Sequence, residues 1–220
     1  MSDRVAEILL DSFSKILIPG LTATIPLAVI SFAIALVIAV AVALVQYARV
    51  PVLTQIARFY IWSVRGTPLL VQLYVVFYGL PDFGIVLDPF PSAVIVFSIN
   101  TGAYSAETIR GALESVPAGQ LEAGYCVGMS YMQVMRRILL PQALRAAFPP
   151  LSNELIALVK DTSLAANITV LEMLMATQQI VSRTYEALPL YLEVAAIYLL
   201  FSTVLTWLQG IGEKRLASFG

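Results

Sequence analysis

The chain has 220 residues, 59% of them hydrophobic and only 12% charged, with a net charge of −1 and a mean hydropathy of +0.85. A water-soluble domain carries about a quarter of its residues charged, so this apolar excess, gathered in long runs, indicates an all-α polytopic membrane protein without a separate soluble domain. With no histidine, one cysteine (Cys126) and no basic run, the composition argues against an intrachain disulfide, a His- or Cys-based metal site, a catalytic constellation and nucleic-acid binding.

Residues 1–16 hold Asp3, Glu7 and Asp11 where a signal peptide would have a basic region, and are expected to form an N-terminal extracytoplasmic segment. Span 1 is expected over 17–45, with Pro19 and Pro26 near its outer end, followed by a short loop over 46–58. Span 2, over 58–80, is interrupted at Arg65-Gly66-Thr67-Pro68. Pro68 cannot donate to the carbonyl of Val64, and such a break is tolerated at membrane depth only where protein or a water-lined cavity satisfies the freed backbone. A Pro/Gly/Asp loop over 80–91 leads to span 3 over 92–112, a polar loop over 113–140 and span 4 over 141–161. Residues 162–186 are too polar to cross and suggest a short interfacial or re-entrant helix. Span 5 covers 187–211, and 216–220 form a tail.

Five spans with the N-terminus outside and the C-terminus inside gather Arg49, Arg58, Arg110, Arg136, Arg137, Arg145, Lys214 and Arg215 on the cytoplasmic side. The polar loop is then cytoplasmic. It contains Glu122-Ala123, then Gly128, then, after nine residues, Ile138-Leu139-Leu140-Pro141. Glu122 is expected to open a short helix, Gly128 to allow a sharp turn and Pro141 to begin span 4. A helix-turn-helix of this kind can lie in a partner's groove and pass rigid-body motion into the spans.

This pattern resembles the signature loop of ABC importer permeases. Further stretches place the resemblance in the polar amino acid uptake group: Pro19-Gly20-Leu21-Thr22-Ala23-Thr24, Arg65-Gly66-Thr67-Pro68-Leu69-Leu70-Val71-Gln72, Asn100-Thr101-Gly102-Ala103-Tyr104, Leu140-Pro141-Gln142-Ala143-Leu144-Arg145 and Lys160-Asp161-Thr162-Ser163-Leu164. It covers about 17–215, which is read as the transmembrane domain. One departure is Gly124, where the loop motif usually has a second alanine.

The resemblance implies a type I ABC importer permease fold in a bacterial or archaeal cytoplasmic membrane. It also implies two cytoplasmic ATPase subunits, a second permease copy or paralogue, and an extracytoplasmic amino-acid-binding protein. ATP would be bound by the partner ATPase, so the chain itself would carry no cofactor and no enzymatic activity. Glu122, Ala123, Gly124, Gly128, Arg136 and Arg137 would dock the ATPase.

Polar residues within the spans point to the substrate. Asn100, Tyr104, Glu107 and Glu114 recur at helical spacing and share a face. On span 4, Glu154 lies roughly 13–20 Å from the inner end, with Asn153 beside it and Asp161 two turns further out. Acids at such depth face water or a partner, and these would favour a cationic guest. Arg65 and Thr67 at the broken turn could receive an α-carboxylate. The expected cargo is a polar amino acid, with arginine, lysine or histidine ahead of glutamine or glutamate. Structural alternatives are that Asn100 only bonds helices together, that Arg65 pairs with a carboxylate such as Glu107, and that Asp161 pairs with Lys160. A receptor or scaffold that recruits a cytoplasmic partner without moving cargo is the alternative from another class; a broken span and buried acids are features it does not need.

Overall fold

Proline sets the local geometry of the long helices in the computed structural model, which describes residues 3–217. Helix α1 (Asp3–Pro19) runs through a π-helical turn (Gly20–Thr24) into α2 (Ile25–Tyr47). After a turn at Arg49 come α3 (Pro51–Arg65) and α4 (Leu69–Tyr74), the latter extended by a π turn (Val75–Gly79) and a 3-10 turn (Leu80–Phe83). Helix α5 (Pro89–Glu114) leads to the short α6 (Ala118–Cys126) and α7 (Tyr131–Val134). A third π turn (Met135–Leu139) joins α7 to α8 (Leu140–Asp161). A 3-10 segment (Thr162–Ile168), α9 (Met173–Thr184) and α10 (Ala187–Ala217) complete the described residues.

Each π turn ends two residues before a proline: Pro26, Pro81 and Pro141. A proline ring clashes with the carbonyl four residues earlier and has no N–H to offer it. Widening the preceding turn lets the helix pass the proline without stopping, as in the bonds Ile25 N–H to Gly20 and Leu140 N–H to Met135.

Several expected boundaries shift for this reason. Residues 3–16 are helical and continuous with the first span, so Asp3–Tyr47 is one 45-residue helix. The expected loop over 46–58 is mostly helix, because Pro51 sits comfortably at a helix N-terminus. Pro141 lies inside a continuous helix instead of starting one. The tail expected at 216–220 falls largely outside the described residues.

By length and composition, Asp3–Tyr47 and Ala187–Leu216 can each cross a membrane, and Tyr131–Ile168 with Met173–Thr184 passes as a pair bent by 51°. Helix α5, with 26 residues, reaches roughly 39 Å at the helical rise. It falls short on hydropathy because its buried face holds Ser92, Ser98, Asn100, Thr101 and Ser105. That face is covered by protein: α5 packs on α2, α3, α4 and α8.

The α2–α5 seam is built from small side chains. Ala28, Ser31, Ala35, Ala39 and Ala43 recur along α2 at three- and four-residue spacing and are fully buried. They let the backbones approach closely, which is how helices pack without help from water. Gly102 sits at the tightest point, where an added Cβ would come within 3.1 Å of both Ile38 Cγ2 and Tyr60 Oη. Phe97, Leu27, Leu73 and Leu158 fill the centre.

The expected re-entrant element is α9, packed on α1 and α10. Its N-cap, Glu172, is fully buried, accepting the Met175 N–H at 2.7 Å and the Tyr198 hydroxyl at 2.6 Å. These bonds allow a polar segment to fold back inside the bundle.

Gly102→Val overpacks the seam and is expected to cost about 1–3 kcal/mol, whereas Gly111→Ala, with nothing within 4 Å, is expected to be neutral or mildly stabilising. Thermal unfolding of the two variants in mild detergent checks the pair; equal midpoints would contradict the seam.

Candidate functional site: a broken helix facing two carboxylates

The break between α3 and α4 is held open by one side chain. Pro68 has no N–H for the Val64 carbonyl, and the Gln72 Nε2 amide donates to it at 2.8 Å. The same amide reaches the Thr67 carbonyl at 3.1 Å and Thr67 Oγ1 at 2.8 Å. Thr67 Oγ1 in turn donates to the Ser63 carbonyl at 3.1 Å. The remaining acceptor of Gln72, Oε1, takes a 3.0 Å bond from Asn100 Nδ2 on α5. The non-helical turn is therefore satisfied from its own helix and tied to the centre of the bundle.

Beside this turn lies a cavity of about 620 Å³, lined by Arg65, Thr67, Asn100, Tyr104, Glu154 and Asp161 together with neighbouring backbone and apolar side chains. Six of the seven residues expected to bind substrate thus share one space, drawn from α3, α5 and α8. The seventh, Asn153, is exposed and does not line it. The helical turn carries its side chain about 100° away from Glu154.

Arg65 is exposed, with its guanidinium 4.9 Å from the centre of the Tyr104 ring, a cation–π contact that fixes it at the cavity wall. Glu107 is taken by Arg110 instead, at 2.9 Å. Glu154 accepts hydrogen bonds from the Ser105 hydroxyl and from the Thr108 hydroxyl, the latter at 2.6 Å. Asp161 stands two turns further along α8, on the same wall. The cavity thus presents two carboxyl groups on its α8 wall and one guanidinium at the broken turn.

Three supporting residues escape sequence reasoning. Gln72 ends the Arg65–Gln72 stretch that carries the resemblance but was given no role, and Ser105 and Thr108 carry no motif of their own. Gln72 was legible only as the residue one turn beyond Pro68, and Ser105 and Thr108 only as hydroxyls flanking Tyr104 on α5.

The other candidate surface is α6–α7. Helix α6 begins at Ala118, so Glu122 sits in its middle with Ala123, both exposed. Pro117 precedes the helix start and preorganises the first turn, which moves the opening ahead of Glu122. At the far end, Gly128 adopts φ +80. The Gly128 N–H bonds to Tyr125 at 2.9 Å and the Met129 N–H to Gly124 at 3.0 Å, the paired bonds of a Schellman stop. Ser130 and Gln133 then cap α7 reciprocally. Gly124 is buried, and a Cβ there would lie 2.7 Å from Ile138 Cδ1 and 3.0 Å from Val134 Cγ2. Its lack of a side chain is thus a packing requirement of this chain. Arg136 and Arg137 are exposed on the π turn.

Residues 35–218 match the family model of the binding-protein-dependent transport system inner membrane component, and the chain belongs to this family. It is a multi-pass permease subunit of an ABC importer; such subunits have no catalytic activity and no cofactor, and the partner ATPase binds ATP. The chain is 45% identical over 211 residues to the L-cystine transport system permease protein TcyB of Bacillus subtilis (strain 168), covering 96% of this chain and 90% of that one. It is 40% identical over 209 residues to the octopine transport system permease protein OccM of Rhizobium radiobacter, covering 91% and 85%. Its structure is similar to that of an amino acid ABC transporter crystallised with histidines, with a TM-score of 0.89, 31% identity and coverage of 98% and 99%. An inward-facing MetNI methionine ABC transporter shares the fold, with a TM-score of 0.74 at 18% identity.

Gln72→Ala removes the shorter of the two donors to the Val64 carbonyl and the acceptor for Asn100. It is expected to destabilise the protein by about 2 kcal/mol, since freed buried partners cost about 1–3 kcal/mol. Denaturant unfolding in detergent checks this, and an unchanged midpoint would mean water replaces Gln72 at no cost.

Proposed function

We propose that this chain moves polar amino acids bearing a second cationic group, L-arginine and L-lysine foremost, through the cavity between α3, α5 and α8. The observation that carries the reading is the meeting of Glu154 and Asp161 with Arg65 around one cavity. Two acids and one arginine complement a guest with two positive groups and one carboxylate. The structural likeness to a transporter crystallised with histidines supports the same class.

The complete transporter then holds two permeases, this chain with a copy or a paralogue, two ATPases seated on α6–α7, and an extracytoplasmic amino-acid-binding protein. The N-terminus lies outside, the C-terminus inside, and five spans cross. ATP-driven motion of the docked helices switches access by rigid-body movement. L-cystine is a second reading, supported by the 45% identity to a cystine permease; cystine also presents two ammonium groups, with two carboxylates.

Uptake of radiolabelled L-arginine, L-cystine and L-glutamine by the reconstituted transporter tests the assignment. Glu154→Gln is expected to raise KM for L-arginine about tenfold while changing that for L-glutamine little, since one charged hydrogen bond is worth about 1.5–3 kcal/mol. Equal effects on both would assign Glu154 to packing, and uptake of L-cystine alone would favour the second reading.

Docking is tested separately. Gly128→Val strains a positive-φ position, and Glu122→Arg reverses an exposed charge on α6. Both are expected to leave ATP hydrolysis running while uptake falls several-fold. Normal uptake by both variants would contradict docking at α6–α7.

A further inference from the structure

A second polar cavity, of about 810 Å³, lies one helical turn from the first along the α3–α5 interface. On α5, Tyr104 lines the upper cavity and Glu107, one turn on, lines the lower. On α3, Arg65 lines the upper and Trp62, one turn back, the lower. The two helices run antiparallel here, so the turns of one descend beside the turns of the other. Below Trp62 and Glu107 follow Arg58, Gln55 and Arg110, at the end of the bundle that carries the docking helices.

The chemistry of the lower cavity is built for a zwitterion. Glu107 and Glu114 both hold Arg110, at 2.9 and 2.7 Å. Arg58 and Arg49 enter no ion pair among the described residues. An α-ammonium group would compete with Arg110 for the two acids, while an α-carboxylate would meet Arg58.

The geometry points to this lower cavity as a second amino-acid station, occupied by the cargo after it passes the Arg65–Tyr104 stack and before it leaves the protein. It recognises the shared ammonium and carboxylate of any α-amino acid, whereas the upper cavity, with Glu154 and Asp161, reads the side chain. The inference rests on the reading of the chain as an amino-acid permease.

The test uses the assembled, reconstituted transporter with Gln55 replaced by the photoreactive benzoylphenylalanine and tritiated L-arginine or L-cystine, whichever the wild type takes up. Irradiation during ATP turnover is expected to link the label covalently to this chain, and irradiation with ADP to link much less. In parallel, Arg58→Gln is expected to lower the maximal uptake rate about tenfold with little change in KM, and Arg58→Lys to restore most of it, as loss of one charge-assisted contact predicts. Photocapture of phospholipid in place of the amino acid, or wild-type uptake by Arg58→Gln, overturns the station. A wild type that takes up no polar amino acid would instead sink the proposed function itself, so the two failures are distinguishable.

Discussion

Pro68 leaves the Val64 carbonyl without its helical donor, and the Gln72 side chain supplies one from a turn further on, at 2.8 Å. Without that bond the carbonyl would keep only a long 3.4 Å bond from the Thr67 hydroxyl inside a lipid-embedded bundle, at a cost of about 1–3 kcal/mol. With it, the turn between α3 and α4 stays non-helical, and Arg65 and Thr67 line a space opposite α8. Because Gln72 also accepts from Asn100, the break is fixed relative to α5, the helix on which four others pack. The cavity is thus a consequence of satisfied backbone, and its charged residues stand on a frame that does not depend on cargo being present.

One continuous helix links the cavity to α6–α7. Tyr131–Ile168 is one helical run whose π turn accommodates Pro141. Arg136 and Arg137 stand near one end of this rod, and Glu154 and Asp161 lie roughly 25–35 Å along it at the helical rise. The Schellman stop at Gly128 and the capping box at Ser130 give α6 a fixed angle to the rod, and the contact of Gly124 with Val134 and Ile138 clamps the corner. In the proposed transporter, a partner that tilted α6–α7 would move the carboxylate wall past an α3–α5 wall that carries the arginine.

Much of the site was legible in the sequence, because intramembrane charge and proline breaks are costly enough to stand out. Arg65, Asn100, Glu154 and Asp161 fall in a single cavity, and the break sits where Pro68 requires it. Asn153 failed for a geometric reason: adjacent helical residues face different ways. Helix starts at Pro51 and Ala118 were missed because proline was read as a loop signal where it served as an N-terminal one. The roles of Gln72, Ser105 and Thr108 stayed hidden because they depend on which helices meet, and neutral polar residues are too common in spans to mark. Gly124 was read only as a departure from the loop motif, whereas its reason lies across the turn, in the side chain of Ile138.

The central claim is that the broken turn held by Gln72 forms one wall of the cargo site. A cryo-electron microscopy map of the complete transporter, frozen with saturating amino acid, tests it most directly. The account predicts cargo density bounded by Arg65, Tyr104 and Glu154, with the turn at 66–68 non-helical and the Gln72 amide on the Val64 carbonyl. Cargo density elsewhere in this chain with that cavity empty, or a turn that closes into continuous helix when cargo binds, would contradict it.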